Sequence, residues 1–244
     1  MTAKTVYFVT GANRGIGLGL VTELVKRSDA LVFATARSPE NADALNSLRK
    51  EHDNLEVLKL EATSEADNKA AAAAVKEKAG RVDYLIANAG ICDDLAPVLG
   101  ARFEQMRDHF EVNTLGPQLL FQTFAPLLFA SSAPHFVAIS TTVGSISMKL
   151  PIPAAAYGAS KAALNYLVAQ ISIQHTKNNL CAYAISPGHV NTDLGNRGAQ
   201  QFGLDEAPVK LHESVTAVLG IVDKATVDAT SGRFWDYTGK ELQW

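Results

Sequence analysis

What most constrains this chain is its rhythm. Short apolar runs that do not alternate with polar residues are each followed by a segment whose apolar residues recur at helical spacing. Residues 5–10 (TVYFVT), 31–36, 55–60, 82–89, 136–140, 180–186 and 232–238 are the apolar runs. Between them lie the helical patterns. Ile16, Leu20 and Leu24 mark the first, Leu45 and Leu48 the second after Ser38-Pro39-Glu40, and Phe103, Met106 and Phe110 a later one. A strand apolar on both sides is covered on both faces, and helical crossovers make its neighbours parallel. Ser64 with Asp67 three residues on reads as a helix start, and Gly80 as its stop. Pro117 is expected to break or kink the helix that runs past Asn113. The long helix is expected over 154–176. Residues 191–211 hold several glycines and little periodicity, which predicts a mobile lid near 193–211.

Composition adds exclusions. The chain has 244 residues, 47% of them apolar and 19% charged, too apolar for disorder. A net charge of −3 gives no broad basic footprint for nucleic acid. Cys92 and Cys181 have no CxxC spacing and form no disulfide framework. His109, His135, His175, His189 and His212 show no metal-ligand spacing, so no metal is expected and each reads as a surface or internally satisfied histidine. No apolar run approaches the ~20 residues that cross a bilayer. The first residues show neither a basic region nor a cleavage site. A cytoplasmic protein is the expectation, with no membrane partner.

The chemistry begins at Thr10-Gly11-Ala12-Asn13-Arg14-Gly15-Ile16-Gly17, between the first strand and the first helix. Glycines there let backbone approach a pyrophosphate at a helix N-terminus. The second strand ends in Ala36-Arg37-Ser38, where NAD-type sites carry an acid for the ribose 2′-hydroxyl. Arg37 stands there instead, and Arg14 is a second cation in reach. Two guanidinium groups suit a 2′-phosphate, so the expected cofactor is NADP(H). Together these features predict α/β architecture: a single Rossmann-fold domain over 1–244, with a doubly wound parallel sheet of about seven strands and helices on both faces.

Tyr157 and Lys161 lie one turn apart on a helix face. A tyrosine is a poor acid or base near pH 7 unless a neighbouring ammonium lowers its pKa. With Asn88-Ala89-Gly90, Asn113-Thr114-Leu115-Gly116, Ser140-Thr141-Thr142-Val143-Gly144, Tyr157-Gly158-Ala159-Ser160-Lys161 and Ser186-Pro187-Gly188, these motifs follow the order of the short-chain dehydrogenase/reductase family, which the chain resembles from Thr5 to about Thr238. The short length, the absence of a large insertion and the long loop before Tyr157 resemble the carbonyl reductases akin to sniffer and the C-factor proteins, and the fungal polyketide ketoreductases.

The resemblance implies residue roles. Tyr157 protonates a carbonyl oxygen, Lys161 lowers its pKa and holds the nicotinamide ribose, and Asn113 steadies a water that links Lys161 to solvent. Gly11, Asn13, Arg14, Gly15, Ile16 and Gly17 hold the pyrophosphate turn, and Asn88, Ala89 and Gly90 frame the adenosine ribose. Glu61 and Ala62 stand at the adenine, and Pro187, Gly188, Val190 and Thr192 at the carboxamide. The family's substrate-bonding serine is replaced by Thr141, with Ser140 the alternative. Ile146, Met148, Leu150, Ile152, Phe202 and Leu204 are expected to wall the pocket. The implied activity is NADPH-dependent reduction of a lipophilic or aromatic ketone to a secondary alcohol; the alternative is a non-enzymatic NADP(H)-binding regulatory protein. Apolar residues on more than one face of the helices around Leu119–Phe129 and Leu164–Ile171 predict a homodimer or homotetramer.

Overall fold

The computed structural model describes residues 4–93 and 95–244. Strands β1 (Thr5–Val9), β2 (Ala30–Ala36), β3 (Leu55–Lys59), β4 (Tyr84–Ala87), β5 (His135–Ile139), β6 (Cys181–Ser186), β7 (Phe234–Asp236) and β8 (Glu241–Leu242) form one sheet in the order β3-β2-β1-β4-β5-β6-β7-β8. β1 to β7 pair in parallel; β8 pairs antiparallel with β7. The sheet thus has one strand more than expected. The run 232–238 contributes only three strand residues and then turns back on itself.

Strand residues point alternately to the two faces, and both faces are dry. Val6 and Phe8 of β1 pack on one side with Phe33, Phe124, Phe136 and Leu164. Tyr7 and Val9 pack on the other with Leu20, Leu24, Val218 and Val222. Helices α1 (Gly15–Leu24) and α8 (Leu211–Val222) cover this second face, with α2 (Asp43–Glu51) along it. The first is covered by α3 (Glu65–Ala79), α5 (Gly116–Leu128) and α6 (Ala155–Gln174). Strand order reverses between β1 and β4, and loops diverge there to open a crevice at the carboxyl ends of the strands.

Local chemistry sets the helix ends. Ser64 Oγ accepts the Asp67 N–H at 3.2 Å, as a capping residue should. The Asp67 carboxylate does not return to Ser64; it accepts the Glu61 N–H at 3.0 Å and fixes the end of β3. Gly80 closes α3 in the left-handed conformation. The expected break at Pro117 does not occur. α4 (Phe103–Phe110) continues through a π-helical turn, Glu111–Leu115, into α5, and this widened turn directly precedes Pro117, which has no N–H to donate. The predicted lid begins as a helix, α7 (Asp193–Gln201), capped by Thr192 Oγ1, which accepts the Gly195 N–H at 3.1 Å. The short α9 (Val227–Thr230) precedes β7.

Candidate active site

The glycine turn is held open by its neighbours. Gly11 and Gly15 have φ of +63° and +56°, which L side chains rarely adopt. A Cβ on Gly17 would collide with the Gly11 carbonyl and the Asn88 amide. Asn88 Nδ2 donates to the carbonyls of Thr10 (2.8 Å) and Gly11 (3.1 Å), while Thr10 Oγ1 accepts the N–H groups of Asn88 and Ala89, each at 3.0 Å. The end of β4 is therefore stapled to the turn. Arg14 precedes α1 and Ile16 packs inward, while Asn13 stays exposed.

The cations divide. Arg37 is exposed at the end of β2, with Nε 4.0 Å from Glu61 Oε2. Arg14 does not join it. Its Nη1 lies 3.0 Å from Asp193 Oδ2, on the first turn of α7. The expectation of two guanidinium groups converging on one phosphate is not met in this state, because a carboxylate nearer Arg14 competes for it. Glu61 likewise turns its carboxylate to Arg37, and Ala62 lines a small space with Thr10, Ala89 and Gly116.

Beside the turn, α6 presents Tyr157 and Lys161 to the ends of β4 and β5. The Lys161 ammonium is buried and donates to the Ile139 carbonyl at 2.8 Å; burial lowers its pKa to about 8. Thr141 faces the Tyr157 phenol, and its hydroxyl favours the phenolate. Ser140, the other candidate, is buried and its Oγ donates to Asn165 Oδ1 at 2.6 Å. Tyr157 departs from expectation. Burial raises its pKa well above the usual tyrosine range, the nearby Cys92 raises it further, and only the Thr141 bond lowers it. The Lys161 ammonium, one helical turn on, keeps its positive charge while it holds the Ile139 carbonyl.

Asn113 sits in the π-helical turn, fully buried. Its Oδ1 accepts the Ile91 N–H at 2.8 Å, and its Nδ2 donates to the Ile91 carbonyl (2.9 Å) and Ser160 Oγ (3.0 Å). The amide clamps the loop after β4 to α6. Pro187 and Gly188 follow β6, where the Pro187 carbonyl accepts Ser214 Oγ at 2.7 Å. Val190 bridges to Val209, and Thr192 lies against Gly15.

Of the expected pocket wall, Ile146, Leu150 and Ile152 line a cavity of about 300 Å³ with Pro97, Val98 and the α6 residues Ala155, Gly158 and Ala162. Tyr157 is not among the residues that line that cavity. Met148, Phe202 and Leu204 are not among its lining and are exposed. Two features went unread in the sequence. His109 is buried beside Tyr157, four residues before Asn113 on the same helical run; that spacing was the available signal. Asp93 and Arg197 approach to 4.0 Å, joining the loop after β4 to α7. Among the described residues no group of His, Cys, Asp and Glu could hold a metal ion, and no helix is long and apolar enough to cross a membrane.

A profile of the short chain dehydrogenase family matches residues 5–201, and the chain belongs to that family of oxidoreductases. It is 36% identical over 251 residues to a norsolorinic acid ketoreductase of Aspergillus parasiticus, covering 99% of this chain and 92% of that protein. It is 34% identical to an uncharacterised oxidoreductase of Schizosaccharomyces pombe, covering 98% and 97%. Among solved structures, NADPH-bound carbonyl reductase from chicken fatty liver superposes with a TM-score of 0.89 at 34% identity, over 100% of both chains. Carbonyl reductase Sniffer of D. melanogaster superposes at 0.90 and 26% identity, over 99% and 100%.

Proposed function

We propose that this protein reduces the carbonyl group of a lipophilic or aromatic ketone to a secondary alcohol, reversibly, with NADPH. The observation that carries the reading is the buried Tyr157 phenol next to Thr141, one helical turn from the buried Lys161 ammonium and beside a glycine turn with left-handed Gly11 and Gly15. The ketoreductase and carbonyl reductase names of its relatives, one of them NADPH-bound, support the same conclusion.

The residues fit the cofactor. Gly11, Asn13, Gly15, Ile16 and Gly17 would hold a pyrophosphate against the start of α1, where Gly11 and Gly15 take the left-handed backbone that lets the turn approach it. Arg37 meets the 2′-phosphate, and Arg14 joins it once released from Asp193. Glu61 and Ala62 border the adenine, and Asn88, Ala89 and Gly90 the adenosine ribose. Tyr157 and Lys161 reach the nicotinamide ribose, and Pro187, Gly188, Val190 and Thr192 the carboxamide. When bound, the nicotinamide supplies the hydride.

The chain's own residues do the rest. Thr141 Oγ1 donates to the carbonyl oxygen and orients it. Burial keeps the proton on Tyr157 at neutral pH, so the phenol arrives as an acid and gives that proton to the oxygen as the carbon is reduced. Lys161 then stabilises the phenolate until it is reprotonated. Asn113 fixes the floor on which both stand. We also place the protein in the cytoplasm and as a homodimer or homotetramer. Phe103 (80% exposed) and Phe110 of α4, with Tyr166 and Ile173 of α6 (each 65%), leave apolar area for a second copy. Sedimentation at the monomeric mass across micromolar concentrations would contradict the oligomer. The function itself is tested by a panel of aromatic and aliphatic ketones with NADPH and NADH. Turnover of lipophilic ketones with NADPH, at least tenfold better than with NADH, is expected; no turnover with any ketone would overturn the reading.

A further inference from the structure

His109 lies beside Tyr157, the reaction above gives it no task, and it is 1% exposed. Its Nδ1 lies 2.8 Å from the Gln105 carbonyl, which can only accept. Nδ1 therefore carries the proton, and Nε2 is left with a lone pair that accepts the Asp93 N–H at 3.4 Å. One turn further on, Asn113 holds both the N–H and the carbonyl of Ile91. Between these anchors stands only Cys92, itself buried. The same imidazole meets the Tyr157 ring edge-on, with centroids 6.4 Å apart. A histidine needed only to fill space would not require this tautomer or reach this backbone.

We propose that His109 is a positioning residue for the reaction: it locks the backbone of residues 91–93 and props the Tyr157 ring, so that the phenol is held toward Thr141. The proposal rests on the reading of Tyr157 as proton donor, but its first consequence does not depend on activity. Releasing Asp93 uncovers Cys92.

The two amide replacements divide the contacts. In His109→Gln the terminal oxygen reaches the place of Nε2 and keeps an acceptor for Asp93. In His109→Asn the shorter amide keeps a donor to Gln105 and loses Asp93. The folded full-length variants would be alkylated with iodoacetamide, the Cys92 and Cys181 peptides read separately by mass spectrometry, and kcat and KM measured for a ketone that the parent reduces. His109→Asn is expected to speed Cys92 alkylation about tenfold, leave Cys181 unchanged, and lower kcat about tenfold with KM for NADPH within twofold. His109→Gln is expected to stay within about threefold of the parent in both readouts. Equal behaviour of the two variants, in alkylation and in kcat, would overturn the proposal. If the parent reduces no ketone, the proton-donor reading fails instead, and the alkylation contrast still decides whether His109 locks the 91–93 backbone. Should His109→Asn unfold, His109→Gln against His109→Leu replaces the pair, with the loss expected in the leucine variant.

Discussion

Helices α6 and α7 flank the same cleft and are held in opposite ways. The face of α6 with Tyr157 and Lys161 is tied by buried bonds: Lys161 to Ile139, Asn113 to Ser160, Ser140 to Asn165, and Thr114 Oγ1 to the Ser160 carbonyl at 2.8 Å. α7 is joined across the cleft by two exposed ion pairs. Arg14–Asp193 (side chains 59% and 74% exposed) reaches the phosphate turn, and Arg197–Asp93 reaches the loop after β4. Breaking one partner of a buried hydrogen bond costs about 1–3 kcal/mol, whereas an exposed ion pair contributes about 0–1 kcal/mol and is screened by salt. The difference teaches a division of labour. The groups that move the proton are fixed before substrate arrives, and the cover is free to exchange partners as it does.

The largest expected effect breaks the fixed side. Tyr157→Phe keeps the ring against His109 and removes the proton, so kcat should fall by about 10²–10⁴ with NADPH affinity unchanged. Residual activity within tenfold of the parent would place the acid elsewhere.

A second test probes burial away from the chemistry. His135 stacks on Tyr84 at the opposite end of the strands, and burial pushes its pKa down to about 4 against a smaller upward pull from Asp83. The folded state keeps this ring neutral while the unfolded chain takes up a proton below about 6.5. Its contribution is thus complete above pH 6.5 and is lost as pH falls toward 4. Between pH 7 and 4.5 the parent should lose on the order of 2–3 kcal/mol more than His135→Phe, read by urea unfolding at both pH values. Parallel losses in the two proteins would argue against it.

On the cofactor side, Arg37→Ala removes a charged contact worth roughly 1.5–3 kcal/mol, so NADPH affinity should drop at least tenfold while NADH is little changed. The smallest effect belongs to the cover. Asp193→Asn should change stability by less than about 1 kcal/mol, and the parent in high salt should resemble it. A larger loss would mean that the ion pair is structural and the contrast between the two helices false.

The sequence showed the fixed side better than the cover, for a physical reason. The turn Thr10–Gly17 and the pair Tyr157/Lys161 are set by geometry within a few residues: left-handed glycines in one case and a single helical turn in the other. α7 is not. Its glycines suggest flexibility, yet a Cβ on Gly195 would overlap the Val190 carbonyl, so that residue is there for close packing. The helix is held by the irregular segments on either side of it: His189 Nε2, 2.8 Å from the Gly195 carbonyl, and the Ala207 N–H bonded to Asn196 Oδ1 at 2.9 Å. The choice between Ser140 and Thr141 likewise depended on where β5 ends and on Asn165, one helix away. Arg14 was legible as a cation at the turn, but its carboxylate partner was not, because the two lie 179 residues apart.

The central claim is a rigid proton-donating floor beneath an exchangeable cover, and amide hydrogen exchange with and without NADPH tests it most directly. The account predicts slow exchange through the buried face of α6 in both conditions, and exchange over residues 193–211 that slows markedly only when NADPH and substrate are present. Equally slow exchange across 193–211 in both conditions, or protection of α6 that appears only with ligand, would contradict it.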